Sequence, residues 1–388
     1  MKVLIASFTF PPEENGVSFV AYQHALGLHK AGYEIEIATS RQANRVHERW
    51  PMFRIHEFAV SGNGVWVRPF RGEIDAYRRF LTEFDGDVIF FHAWESWPLE
   101  LAVEVLPQIR AKTVVVSHGL SFTWRPPGLS GYLRWLVFQP YGFSFRNKLA
   151  QFDHRVFLTQ KADKIRFYDH YLAQQQGIQA YTVIPNGPSL QNTPLPDGKT
   201  FRETYQIASR HMVLCVSNYY PTKGQHDLLA AFLDTRPADT ALVFIGSYSS
   251  EYSKQLEKQA GDLLNKTVYL LTAISRDHVA AAYREATLFA TASQVDVQPL
   301  MLIDAMAFGL PFVALDVAGI SEFPGGITYR SGSELRQSLT DLLQDDTKRN
   351  ELARRGLEAV RKTYNWATII SQYQTLIEQL TQTSEVTP

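Results

Sequence analysis

Short apolar runs alternate with stretches of helical period along this chain, and the alternation is played out twice. In the first half the runs fall at residues 3–6, 35–38, 88–91, 114–116, 156–158 and 181–184. Runs that are apolar throughout suit strands buried on both faces rather than strands with one wet side. Between them lie segments such as 17–30 and 161–176, where the spacing predicts helices. From about Thr200 the theme repeats, with runs at 213–216, 242–245, 268–271, 288–290 and 312–315. Strand–helix alternation predicts parallel sheets covered by helices. The punctuated stretch PSLQNTPLPDG after Asn186-Gly187 reads as a linker between two such units. A length of 388 residues exceeds a usual single core, so two domains are expected, over 1–187 and 188–366.

Composition narrows the function classes. A net charge of −1 argues against general nucleic-acid binding, which draws on broad positive fields. The single Cys215 lies in an apolar run, so it reads as a core thiol and excludes a disulfide framework. The opening MKVLIASFTFPPEENG has too short an apolar run for a signal peptide or a membrane span, and a cytoplasmic location is expected.

Residues 291–311, TASQVDVQPLMLIDAMAFGLP, concentrate the chemistry. An apolar strand runs into a polar loop holding Asp296, and a short helix follows. Pro299 is placed as its first helical residue, Gly309 as its C′ glycine and Pro311 just beyond. Asp304 lies inside that helix, eight positions after Asp296, so the two acids do not share one helical face. Strand–helix mouths are where open α/β sheets bind ligands, and two acids there suit a hydroxyl-rich ligand.

This stretch resembles the acid-x7-acid signature of retaining glycosyltransferase family 4, of group 1 and of GT-B fold. Ala305, Met306, Ala307, Gly309 and Pro311 match the family pattern, while Asp296 and Asp304 replace its two glutamates. The resemblance runs in order along nearly the whole chain. Asn15-Gly16 stands where the family has Gly-Gly before its first helix, and His118-Gly119 ends the run KTVVVSHG. Lys223-Gly224 matches the phosphate-binding turn, with Asn218 in place of the family arginine. VIPNGPSL carries Ser189 where the family has aspartate and reads as a turn into the linker.

The resemblance implies two Rossmann-like parallel-sheet domains facing each other across a cleft, with a terminal helix (367–388) crossing back onto the first. It implies His118 as the contact to the donor sugar, with partial protonation offsetting phosphate charge; His92 is a second candidate. Gly16 would let the backbone approach a ligand. Lys223 and the helix-end amides of Leu300 and Met301 would meet the diphosphate. Asn218 takes the remaining place in that turn. Main-chain groups next to Ala273 and Ile274 would hold the base, Asp296 would orient the donor sugar, and Asp304 would bind the ribose hydroxyls. The activity that the resemblance implies moves a hexose-type sugar from a nucleoside diphosphate sugar, with UDP favoured over GDP, to a glycan, lipid-linked or small-molecule acceptor, and no cofactor or metal is expected. The one Asp-x-Asp pattern, Asp85-Gly86-Asp87, reads as a turn using aspartates for local bonds.

Residues 121–152 hold Arg125, Arg134, Arg146 and Lys148, many aromatics and no acid until the segment has ended. Trp124, Arg125, Arg134 and Trp135 are candidates for a lipid-linked or glycan acceptor, or for peripheral contact with the inner face of a membrane. Pro126, Pro127, Gly128 and Pro140 interrupt the segment and exclude a single spanning helix. Two alternatives stay open. One is another GT-B enzyme, such as a sugar-nucleotide epimerase or a glycan phosphorylase. The other is a degenerate transferase kept as a binding subunit, suggested by Asn218, the shortened acids and Pro299.

Overall fold

In the computed structural model the apolar runs of the first half lie in β1 (Lys2–Ser7), β2 (Glu34–Ser40), β6 (Val88–His92), β7 (Lys112–Val116), β8 (His154–Phe157) and β9 (Tyr181–Val183). A strand at Arg54–Phe58, β3, joins them, and Val60–Ser61 and Arg71–Gly72 form a small separate hairpin, β4 and β5. The second half holds β10 (His211–Val216), β11 (Thr240–Gly246), β12 (Val268–Thr272), β13 (Leu288–Thr291), β14 (Phe312–Leu315) and β15 (Gly326–Tyr329). The structure describes residues 1–382 except 65, 66, 126, 127, 191, 192, 195 and 197.

Two compact units result, one of residues 1–186 with 366–388, the other of 187–365. The first is built on a parallel sheet of order β3-β2-β1-β6-β7-β8-β9, the second on a parallel sheet of order β12-β11-β10-β13-β14-β15. In each, the order reverses direction beside the strand that opens the unit. That reversal opens a crevice at the carboxyl ends of β1 and β6, and another at those of β10 and β13.

The central strands are sealed on both faces, as their uninterrupted apolar runs require. Val3, Leu4, Ile5 and Ala6 are fully buried, and so are Leu242, Val243 and Leu214. Withdrawing each large aliphatic side chain from water contributes about 1.5–3 kcal/mol. The terminal helix Trp366–Gln382 belongs to the first unit and packs on the helix Gly16–Lys30. The two approach so closely that a Cβ on Gly27 would sit 2.3 Å from Ile370 Cγ1.

Two helix expectations need correction. The segment 161–176 is helical only over Tyr168–Gln175. Asp163 Oδ1 accepts the amides of Ile165 and Arg166 at 2.7 Å each, a local turn that competes with helix formation until Phe167. Conversely, Pro140 does not interrupt its segment, because it lies inside one helix, Gly128–Gln151. Proline there removes the bond to the Leu136 carbonyl, but Pro140 and Leu136 lie on the exposed face, where solvent can serve that carbonyl. Pro126 and Pro127 lie outside the described residues. No helix among the described residues is long and apolar enough to cross a membrane.

Candidate functional site

In the second unit, β10 and β13 flank the reversal of strand order, and the loops leaving their carboxyl ends carry Lys223 and Asp296. Lys223 Nζ lies 2.5 Å from Asp296 Oδ1. The other oxygen, Asp296 Oδ2, is buried without a hydrogen-bond partner, as are Gln225 Oε1 and Ser293 Oγ. Buried acceptors left unpaired in a crevice are suited to a hydroxyl-bearing ligand.

Backbone geometry fixes this arrangement. Gly224 has φ +65°, and a Cβ there would stand 2.2 Å from the Ala292 carbonyl oxygen. The turn after β10 therefore seats directly on the chain leaving β13. The Gln294 amide donates to the Thr222 carbonyl at 3.0 Å, tying the two loops again. Gln225, 1% exposed, donates through Nε2 to Ser217 Oγ and to the Asn218 carbonyl. Asn218 Oδ1 accepts the Ser247 amide at 2.9 Å, which leaves Nδ2 as its remaining polar group. Ser247, which the sequence did not single out, also accepts the Ala273 amide at 3.3 Å. That amide is thus occupied; Ala273 itself has φ +54° at the end of β12.

The helix that follows β13 spans Leu300–Ala307, with Pro299 as N-cap rather than as its first residue. The prediction placed Pro299 one position too far in; its ψ of 117° is extended, and its carbonyl accepts from Leu302 and Ile303. Leu300 and Met301 are the first two helical residues, so their amides lie at the positive helix end. Gly309 closes the helix with φ +66°, its amide on Met306 and the Leu310 amide on Ala305.

Asp304 points elsewhere in the same unit. It is 3% exposed, and its oxygens accept the Ser189 amide (2.6 Å), the Leu190 amide (2.9 Å) and the Ser189 hydroxyl (2.5 Å). Arg276 donates in turn to the Ser189 carbonyl. Burial pushes the Asp304 carboxyl up to about 6, against the opposing pull of these donors. The sequence offered Ser189 only as a turn residue; its link to a helix more than a hundred positions away has no periodic signal.

In the first unit, Gly16 is the first residue of its helix and Asn15 is the cap. Asn15 Oδ1 accepts the Ser18 amide at 3.0 Å, and its Nδ2 donates to Thr9 Oγ1. The loop before it is held by the buried Arg45, whose guanidinium donates to the carbonyls of Phe10 and Pro11. His118 follows β7, and His92 ends β6 beside it; their nearest ring nitrogens are 3.1 Å apart. Burial lowers His118 to about 4, so near neutral pH, without a ligand, it is an uncharged hydrogen-bonding group. Glu95 ties the same edge together, accepting the amides of Ser121 and Phe122 at 2.7 and 2.9 Å.

The aromatic–basic segment divides by face. Phe145 and Leu149 are fully buried, whereas Leu129, Tyr132, Leu133, Leu136 and Phe143 are exposed. Arg125 lies over the Tyr132 ring, Arg134 over Phe138, and the Tyr132 and Trp135 rings stack. Trp124 faces the Arg166 guanidinium, 4.8 Å from its ring. Asp85 and Asp87 both bond Lys2, and Cys215 is buried with its thiol pushed up to about 12.

Known proteins share this frame. A family model described as glycosyl transferases group 1 matches residues 198–358, and one described as a glycosyl transferase 4-like domain matches 15–187. Among curated relatives, N-acetyl-alpha-D-glucosaminyl L-malate synthase of Bacillus anthracis is 22% identical over 97% of this chain and 97% of its own. The phosphatidyl-myo-inositol mannosyltransferase of Mycobacterium leprae is 29% identical over 89% of this chain and 90% of its own. The solved structure of Anabaena HepE in complex with UDP aligns with a TM-score of 0.72 at 17% identity, covering 98% of this chain and 100% of that one. With two matching domain models and a reversed-order parallel sheet in each unit, the chain belongs to the group 1 glycosyltransferases of GT-B fold.

Proposed function

We propose that this glycosyltransferase moves a hexose-type sugar, with retention of configuration and without a metal, from a nucleoside diphosphate sugar to a glycan, lipid-linked or small-molecule acceptor. The observation that carries the reading is the pairing of Lys223 with Asp296 beside unpaired buried acceptors, at the reversal of the second sheet. A lysine ammonium has three donors, so Lys223 can keep Asp296 and still meet diphosphate oxygens. Together with the Leu300 and Met301 amides it stabilises the charge that develops on the departing diphosphate. Asp296 Oδ2 accepts a hydroxyl of the donor sugar and orients it. Asp304 has one lone pair of Oδ2 beyond its bonds to Ser189 and Leu190, so ribose binding there requires residues 189–190 to share or yield the carboxylate. The base takes the main-chain groups left at Ala273 and Ile274. His118 supplies a neutral hydrogen bond to a sugar hydroxyl. A UDP-sugar is the favoured donor, supported by the UDP held by the similar Anabaena chain. The exposed apolar stripe on Gly128–Gln151, flanked by arginines, favours an acceptor presented at the cytoplasmic face of a membrane.

The test is calorimetry with UDP and GDP followed by transfer assays with the matching sugars. Lys223→Ala should lower both nucleotide affinity and kcat/KM by about ten- to a hundredfold, the loss of charge-assisted bonds. Unchanged nucleotide affinity in a folded Lys223→Ala protein would remove the diphosphate from this site.

A further inference from the structure

His118 does not stand alone at the edge of the first sheet. β6 and β7 are neighbours, and His92 at the end of β6 places Nδ1 3.1 Å from His118 Nε2. Behind His92 lies His24 of the helix Gly16–Lys30, with ring centres 5.2 Å apart. Behind His24 lies Tyr373 of the terminal helix, at 4.3 Å. His92 is fully buried and His24 is 2% exposed, whereas His118 is partly exposed. His92 Nε2, His24 Nε2 and the Tyr373 hydroxyl are buried and have no hydrogen-bond partner. Burial holds all three histidines neutral, His24 lowered to about 3, His118 to about 4 and His92 well below its ordinary value.

One proton per ring leaves two arrangements. If His118 donates from Nε2, then His92 Nδ1 is bare and its proton sits on Nε2, a buried N–H without an acceptor. If His92 donates from Nδ1, its bare Nε2 is the orphan and His118 carries its own proton on Nδ1. An orphaned buried donor is the rarer and costlier outcome. The backbone keeps the pair in place: the Ala93 amide donates to the Val116 carbonyl at 3.0 Å, and Ala93 and Glu95 hold φ values of +69° and +58°.

We infer that His92 is a positioning residue that locks His118 in the Nδ1–H tautomer, so that His118 offers a donor to a ligand oxygen. The inference rests on the reading of His118 as a ligand-facing group and adds its polarity: a sugar or phosphate oxygen is accepted there, a ligand N–H is not. The second nitrogen of a histidine commonly has its tautomer set by the bond the first one makes.

The experiment uses the full chain with nitrogen-15 in its histidines, His118→Gln serving to assign signals. Long-range proton–nitrogen spectra of the wild type should show His118 protonated on Nδ1 alone. His92→Phe should leave His118 a mixture of tautomers. His92→Asn, whose amide falls near the lost Nδ1, should restore the single form. Transfer activity should drop about three- to tenfold in His92→Phe, the worth of one neutral hydrogen bond, and recover in His92→Asn. A packing role predicts the reverse order, since phenylalanine fills the site and asparagine leaves a cavity. His118 protonated on Nε2 in the wild type, an unchanged tautomer in His92→Phe, or activity that tracks melting temperature would each overturn the inference. If the tautomers behave as stated but the wild type transfers no sugar from any donor, the transferase reading fails and the positioning of His118 stands.

Discussion

Asp304 is the residue where stability and ligand binding pull apart. Its carboxyl is raised from 3.8 to about 6 by burial, so the folded state holds the proton more tightly than the unfolded chain. Stability from this group is therefore full below about pH 4 and falls as pH rises to about 6. Above that the carboxylate carries its whole desolvation cost. In Asp304→Asn, the amide oxygen can keep the Ser189 and Leu190 amides and the NH2 can donate to Ser189 Oγ. Melting temperature at pH 7 should hold or rise, and its slope between pH 4 and 6 should flatten, while donor affinity falls. A variant as pH-sensitive as the wild type in that window would show that Asp304 does not titrate there. Asp296→Asn should behave differently, because it leaves Lys223 without its ion pair and replaces the unpaired acceptor. Transfer should slow more than nucleotide binding weakens, as a comparison of kcat with the UDP dissociation constant would reveal.

Among the elements, the turn after β10 makes the sharpest forecast. Gly224→Ala meets both a positive φ and a backbone oxygen at 2.2 Å, and the Ala292 carbonyl has no side-chain freedom with which to retreat. Gly177 has φ +67° and open space around its missing Cβ, so Gly177→Ala isolates the conformational cost alone, about 1–2 kcal/mol. Gly224→Ala should cost clearly more in chemical denaturation and should weaken nucleotide binding as well; equal costs would mean that the two loops are free to separate. The sequence carried these central elements well because strands sealed on both faces must be apolar throughout. Two edge strands, β3 and β15, escaped it: Arg54–Phe58 is mostly polar, and Gly326–Tyr329 is short and half-buried. The Lys223-Gly224 turn and the Asp296–Asp304 spacing were legible because each is local. The bonds from Ser247 to Asn218 and from Ser189 to Asp304 were not, since each joins a main-chain amide to a side-chain oxygen distant in sequence.

For the molecule as a whole, the helix Gly128–Gln151 carries the proposal that the enzyme works at a membrane. Both of its faces are apolar, so periodicity could not choose the buried one; the structure buries Phe145 and Leu149 and exposes Leu129 (75%) and Phe143 (86%). Leu129, Leu133, Leu136 and Phe143 recur at spacings of three, four and seven, which puts them on one stripe. Arg125, Arg134 and Arg146 are exposed in the same segment. Such a stripe suits the boundary of an anionic bilayer, where apolar side chains enter and arginines meet headgroups. The protein should float with anionic vesicles at low salt, and added salt should release part of it by screening. Arg125→Ser with Arg134→Ser and Arg146→Ser should remove the salt-sensitive part, and Leu133→Ser with Phe143→Ser should remove the rest. Both sets should leave melting temperature nearly unchanged, because the leucine and the phenylalanine are already in water and the arginine heads are exposed. A fall in melting temperature would assign these side chains to packing. A wild type that stays out of the vesicle fraction at low salt would turn the stripe toward a soluble acceptor, and the acceptor search would then begin with free glycans.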